Sequence, residues 1–212
     1  MLVSMPNKSS LPTHKLVNSE CSTDIRSLIE QCGAVLHGHF RLASLRHSDI
    51  YVEKFRVLER PDILEAVAKP IVEQFRSQKP EVVAGPSTGG MIVAYEVARQ
   101  LGIPAVYVET DENVRVLKRG GSIKAGAKVL LVDDVLTTGV SLNEVLPVIS
   151  KSEGHLIGIG VLIDRSELSL DFDVPLFASS RFEATTYPDE SVPDWLAKIP
   201  ITTPGSRAKR SE

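Results

Sequence analysis

The chain has 212 residues, 42% of them hydrophobic, a length and composition that suit one α/β domain with short appendages. A net charge of −3 gives no general attraction to nucleic acid or to an anionic membrane, so any anion binding must come from local geometry. No apolar run of about 18 residues is present to span a membrane, and the first 20 residues lack the apolar core of a secretory signal.

Residues 1–20 read as a loose arm and residues 204–212 as a loose tail, leaving 21–203 as the folded domain. The two cysteines, Cys21 and Cys32, form no CxxC pair and have no metal-ligand spacing, which favours a reduced, cytoplasmic protein. Ser22 or Thr23 can cap a first helix whose apolar face is Ile25, Leu28, Ile29 and Cys32, ending near Gly33. Residues 39–58 alternate as strands around a polar turn. Pro61 opens a second helix with the stripe Leu64, Val67, Ala68, Ile71, Val72 and Phe75, and Pro70 is expected to kink or break it.

From Glu81 onward, apolar strands and helices alternate. EVVAG, PAVYVE, KVLLV and HLIGIGVLI read as buried strands, and GMIVAYEVARQL and SLNEVLPVISK as helices. This order predicts an α/β fold with a mostly parallel sheet flanked by helices. In such sheets ligands bind where loops leave the carboxyl ends of the strands.

The strongest local signal is residues 129–141, VLLVDDVLTTGVS. An apolar strand ends in Asp133 and Asp134. Val135, Leu136, Thr137, Thr138, Gly139 and Val140 follow, and Ser141 opens a helix. Hydroxyls and free N–H groups at a helix N-terminus make an anion site, and Gly139 lets the backbone approach a phosphate closely. The two carboxylates can accept hydrogen bonds from vicinal hydroxyls or hold the hydration shell of Mg²⁺. An ordinary strand–turn–helix with capping residues would read the same from residue types alone. The segment is not the glycine-rich lysine loop of nucleoside triphosphatases, and no nucleophile–base pair suggests a hydrolase.

These thirteen residues resemble the phosphoribosyl pyrophosphate (PRPP) motif of type I phosphoribosyltransferases. The resemblance implies that family's fold, with a small hood region from about 21–60 and 170–203. It implies that Asp133 and Asp134 take the ribose hydroxyls, that Thr137 to Ser141 cradle the 5-phosphate, and that Val135 and Leu136 also line PRPP. Residues 82–90, VVAGPSTGG, resemble the family's pyrophosphate loop, which would bring Ser87, Thr88 and Gly89 to PRPP; alone, they are an ordinary βα turn.

Residues 38–59 resemble the N-terminal pattern G-x-F-x-L-x-S-G-x-x-S-x-x-Y of orotate phosphoribosyltransferases, matched at Gly38, Phe40, Leu42, Ser44, Ser48 and Tyr51. Lys54 matches a lysine of one branch, and Asp164–Arg165 matches a pair whose arginine contacts orotate. Lys54, Thr137 and Arg165 are therefore the expected orotate ligands, although Arg46, His47 and Lys54 would also suit a solvated strand face. The implied activity is transfer of ribose 5-phosphate from PRPP to orotate in pyrimidine biosynthesis, with Mg²⁺ carried on PRPP and a homodimer sharing its lid.

The chain departs from the pattern at Leu45 and in the lid. Leu45 replaces the glycine, and a leucine does not readily take positive φ, which counts against a close backbone contact with a base. Thr110 stands where the lid has a lysine and Asp111 where it has a glutamate, leaving Arg115, Lys118 and Arg119 as cations; Lys118 and Arg119, with Asp133 and Asp134, are the expected catalytic residues. These departures keep two other readings open: another acceptor, or a PRPP-sensing protein without catalysis.

Overall fold

A computed structural model describes residues 22–204, apart from 43, 113, 119, 168, 169 and 184. The expected arm and the tail beyond Pro204 lie outside the described residues. In chain order the elements are α1 (Ser22–Gln31), β1 (Val35–Arg41), β2 (His47–Val52), the short α2 (Phe55–Leu58) and α3 (Pro61–Arg76). Then come β3 (Val82–Pro86), α4 (Gly89–Leu101), β4 (Ala105–Asp111), β5 (Val114–Leu117), β6 (Lys128–Leu136), α5 (Val140–Lys151) and β7 (His155–Asp164). The chain closes with β8 (Leu176–Arg181), β9 (Thr186–Tyr187), a 3₁₀ turn at Asp189–Ser191, α6 (Asp194–Ala197) and β10 (Ile201–Thr202).

Six strands form one sheet in the order β5-β4-β3-β6-β7-β8, parallel throughout except for the β4–β5 hairpin. The expected α/β fold is present, with helices on both faces. Alternation along the strands sends Val83, Leu130, Val132 and Leu162 toward α1, α3 and α4. It sends Val82, Ala84, Leu131 and Val161 toward α5. Both faces are covered, which is why these strands read as continuous apolar runs.

Pro70 does not break α3, which runs from Pro61 to Arg76 with the proline inside it. A mid-helix proline costs about 3 kcal/mol. Burying each of Val67, Ile71 and Phe75 returns about 1.5–3 kcal/mol, so the packed face outweighs the lost hydrogen bond. That packing is close: a Cβ on Gly158 would lie 2.2 Å from Phe75, and one on Gly160 would lie 2.4 Å from Ile71.

A second sheet, ordered β10-β1-β2-β9, joins the N-terminal hairpin to the C-terminal segment. Of residues 170–203, expected in the hood, Leu176–Arg181 instead forms the edge strand of the large sheet beside β7. Residues 55–58, read as strand, are a helical turn. Buried polar bonds tie the small sheet together. His39 Nδ1 donates to the Ile199 carbonyl at 3.1 Å, its Nε2 meets His47 Nδ1 at 2.6 Å, and His47 Nε2 bonds the Asp189 carboxylate. Arg46 bonds Thr186. Neither Arg46 nor His47 is a solvated strand residue.

Leu45 does take positive φ, +64°, in the turn between β1 and β2, where its N–H donates to the Leu42 carbonyl at 2.9 Å. The expectation that leucine would avoid this conformation is corrected: the hairpin closure imposes it. Its side chain is 64% exposed, so little packing offsets the steric cost of about 1–2 kcal/mol. Glycine removes that cost but adds unfolded-chain entropy. Leu45→Gly is therefore expected to stabilise the protein by about 0.5–1 kcal/mol, and the β-branched Leu45→Val to destabilise it. Urea unfolding of the three proteins checks this order.

Candidate active site

The loops after β3, β6 and β7 leave the same carboxyl edge of the large sheet, as the register Val83↔Leu130 and Leu136↔Asp164 requires. Asp133 and Asp134 lie in the buried run of β6 and are 6% and 5% exposed. Asp133 Oδ1 accepts the Asp134 N–H at 2.8 Å, and Asp134 Oδ1 accepts the Val135 N–H at 2.6 Å. Lys54 reaches down from the hood and places Nζ 2.7 Å from Asp134 Oδ2. The expected solvated-face alternative for Lys54 does not hold.

Both acids press against the first turn of α4. A Cβ on Gly89 would lie 1.6 Å from Asp134 Oδ2, and one on Gly90 would lie 2.8 Å from Asp133 Oδ1. Only a Gly-Gly start to this helix lets the carboxylates meet its N-terminal backbone, whose partial positive charge suits them. Burial, and then the neighbouring Asp134 charge, push the Asp133 carboxyl well above the usual carboxylate range. Hydrogen bonds from the Asp134 N–H and the Ser141 hydroxyl oppose that rise.

Thr137 and Thr138 are exposed, and Gly139 adopts φ +75° at the start of α5. The first helical bond runs from the Asn143 N–H to the Gly139 carbonyl at 2.9 Å. Helix geometry therefore leaves the N–H groups of residues 140–142 directed outward as donors. A Cβ at Gly139 would also lie 3.1 Å from Leu170, so no side chain suits this corner in conformation or in space. Leu136 was expected among the ligand contacts. Its side chain is in the core, and its carbonyl accepts the Arg165 N–H at 2.8 Å, which gives it a positioning role. Val135 is half-buried and Val140 is exposed.

Asp164 builds the turn that presents Arg165, accepting the Ser166 N–H at 2.8 Å and the Ser166 hydroxyl at 2.7 Å. Arg165 Nη2 donates to the hood carbonyl of Ile50 at 3.2 Å, while its buried Nε has no protein partner. Burial pulls the guanidinium below its usual pKa, and it still carries its charge at neutral pH. Beside it, burial raises the Tyr51 hydroxyl.

The lid segment is a hairpin in which Thr110 sits opposite Arg115. Arg115 Nε lies 2.8 Å from Glu144 on α5, and its Nη1 donates to Ser87 Oγ in the β3–α4 loop at 3.3 Å. Lys118, expected to be catalytic, is paired with Asp111 at 2.9 Å, and Arg119 lies outside the described residues. Ser87 is half-buried, and Thr88 is exposed beside it. Sequence reading named Arg115 only as a remaining cation and missed Glu144 and Gly90. The adjacent glycines were visible in the chain, but the reach of Arg115 follows from strand register.

The phosphoribosyl transferase domain family matches residues 56–173. The orotate phosphoribosyltransferase of Pelotomaculum thermopropionicum is 42% identical over 87% of this chain and 97% of its own length. That of Caldanaerobacter subterraneus subsp. tengcongensis is 38% identical over 86% of this chain and 96% of its own. The crystal structure of orotate phosphoribosyltransferase from Aeropyrum pernix superposes with a TM-score of 0.66 at 26% identity, covering 74% of this chain and 93% of that one. With its buried acid pair, its glycine-started helix and these relatives, the chain belongs to the phosphoribosyltransferase family, among the orotate phosphoribosyltransferases.

Proposed function

We propose that the protein transfers the ribose 5-phosphate group of PRPP to orotate, forming orotidine 5'-phosphate and pyrophosphate on the route to UMP. A ring nitrogen of orotate forms the bond to ribose C1 as the C1–O bond to pyrophosphate breaks. The bonding pair leaves on the pyrophosphate oxygen, and the ring N–H proton passes to the solvent or the leaving group. The transition state has oxocarbenium character, so positioning and charge stabilisation dominate.

Arg165 carries the choice of acceptor. A buried guanidinium with an unpartnered Nε beside a phosphate-type loop suits a planar ligand bearing a carboxylate, which orotate is. In this reading Asp133 and Asp134 hold the ribose hydroxyls and the first turn of α5 with Thr137, Thr138, Gly139 and Ser141 holds the 5-phosphate. Ser87, Thr88 and Gly89 line the pyrophosphate, and Lys54 bridges ribose and acceptor. The small sheet, with its C-terminal strands, is the hood over the acceptor.

No group of three or more metal-binding side chains occurs among the described residues. The acid pair fits a Mg²⁺ carried mainly by the diphosphate oxygens and reached through water, where the ion would neutralise the leaving group. We further propose a cytoplasmic homodimer. Because the hairpin contacts Ser87 and Glu144 of its own subunit, lid sharing falls to Lys118 and Arg119. No helix among the described residues is long and apolar enough to cross a membrane.

The test is loss of orotate absorbance that requires protein, PRPP and Mg²⁺ together. Arg165→Lys is expected to raise the KM for orotate about 10–100-fold, as loss of a charged, forked contact should, with PRPP affinity unchanged. PRPP binding without turnover of orotate would support a sensor or another acceptor instead. The positive φ of Leu45 removes the backbone argument for that other acceptor.

A further inference from the structure

Cations around the site are already divided among partners. Lys54 holds Asp134, Arg165 holds the Ile50 carbonyl, and Lys118 holds Asp111. Arg115 behaves differently. Its side chain is only 15% exposed, yet it lies on a short hairpin, and two contacts fix it against the loop after β3. Glu144 engages Nε from α5, while Nη1 reaches Ser87 Oγ. With Nε and one Nη1 N–H engaged, the guanidinium still has its Nη2 and second Nη1 N–H groups to donate to oxygen ligands.

We propose that Arg115 binds the departing pyrophosphate within its own subunit, and that Glu144 is the residue that positions it. This rests on the reading of the site as a PRPP site. Ser87 sits in a loop of small residues that lets a diphosphate approach the backbone, so the Arg115 Nη1 contact marks where that anion comes to lie. The strand register supplies an independent argument. Thr110 faces Arg115 directly across β4–β5, and such pairs have Cβ atoms about 4.5–5.5 Å apart. A cation at 110 would crowd the one at 115, whereas threonine accommodates it. The positive charge of this lid face is thus carried by β5 in place of β4, and position 110 can stay neutral without leaving the leaving group unattended.

The experiment compares the wild type with Arg115→Ala, Glu144→Gln and the double variant Arg115→Ala/Thr110→Lys. Turnover, titration with inorganic pyrophosphate plus Mg²⁺, and melting temperature are measured for each. Loss of a charge-stabilising donor typically costs about 100-fold or more in kcat. Arg115→Ala is expected to show that loss, with about 10–100-fold weaker pyrophosphate binding, an unchanged KM for orotate and an unchanged melting temperature. Adding Thr110→Lys is expected to recover at least about tenfold of the rate, since it returns a cation to the same face. Glu144→Gln is expected to lower kcat about 3–10-fold while leaving the orotate KM and the melting temperature alone, a split that a purely structural role would not produce.

Pyrophosphate affinity equal in wild type and Arg115→Ala overturns the proposal, as does a wild type that binds no pyrophosphate. Failure of the orotate reading looks different. The wild type would then bind pyrophosphate with Arg115 dependence yet turn over no orotate.

Discussion

Replacing both buried acids, Asp133→Asn with Asp134→Asn, is expected to lower kcat/KM for PRPP by about 1000-fold. Each carboxylate that accepts a hydroxyl hydrogen bond in a dry site contributes about 1.5–3 kcal/mol, and two together span roughly 100-fold to 10,000-fold. The same acids carry a stability cost in the unliganded protein. Asp133 is buried against Asp134, so its folded-state pKa lies above the unfolded value. Between those two values the folded state holds more protons than the unfolded state, and stability falls as pH rises through that window. Below the unfolded pKa of about 3.9 the penalty is absent, and above the folded pKa it is complete. Asp133→Asn alone is therefore expected to raise the stability of the apo protein at pH 8 by about 1–3 kcal/mol and to change it little at pH 4. Asp134→Asn contributes no such gain, because it leaves Lys54 without its partner. Thermal melts at both pH values, with and without PRPP and Mg²⁺, check the sign. A double variant with wild-type turnover would remove the acids from the ribose site.

What the sequence shows of this protein depends on how local each signal is. β3, β6 and β7 are buried on both faces, so each reads as an apolar run without reference to any neighbour. The acid pair and the Thr-Thr-Gly turn lie within one strand–loop–helix, and the chain alone displays them. β9 and β10 have two residues each. No periodicity exists at that length, and their pairing with β2 and β1 joins segments more than 130 positions apart. Propensity argues against positive φ at Leu45, and the hairpin closure that imposes it is not a local pattern. Pro70 marks a helix break from local chemistry alone, and the core face of α3 that keeps the helix continuous is a tertiary feature. Arg115 and Lys118 are three positions apart in sequence, but the hairpin sends one toward α5 and Ser87 and the other to Asp111. Only register separates them.

Gly89→Ala is expected to reduce kcat/KM for PRPP about 100-fold while removing no charge and no hydrogen-bonding side chain. In an ordinary helix the substitution would help, since alanine is favoured over glycine by about 1 kcal/mol. Here the added methyl would start 1.6 Å from Asp134 Oδ2 and 3.2 Å from Leu58 Cδ1. Gly89 opens α4 within the packed interior, so the helix cannot retreat without disturbing Val93, Ala94 and Val97 in the core. The carboxylate is the group that must give way, and turning it breaks the 2.7 Å contact with Lys54. The proposed ribose site then loses its acceptor geometry, and the ion pair with Lys54 loses its alignment. Overpacking of this kind costs about 1–3 kcal/mol, so the melting temperature should fall despite the better helix former. The cause can be isolated with a double-mutant cycle. In an Asp134→Ala background the carboxylate clash is gone and only the movable end of Leu58, at 3.2 Å, faces the methyl, so Gly89→Ala should become far less costly or neutral, giving a coupling of at least about 1 kcal/mol. Additive free energies would mean that the glycine acts on helix packing alone, and that the contact between the acid pair and the α4 N-terminus is not what holds Asp134 in place.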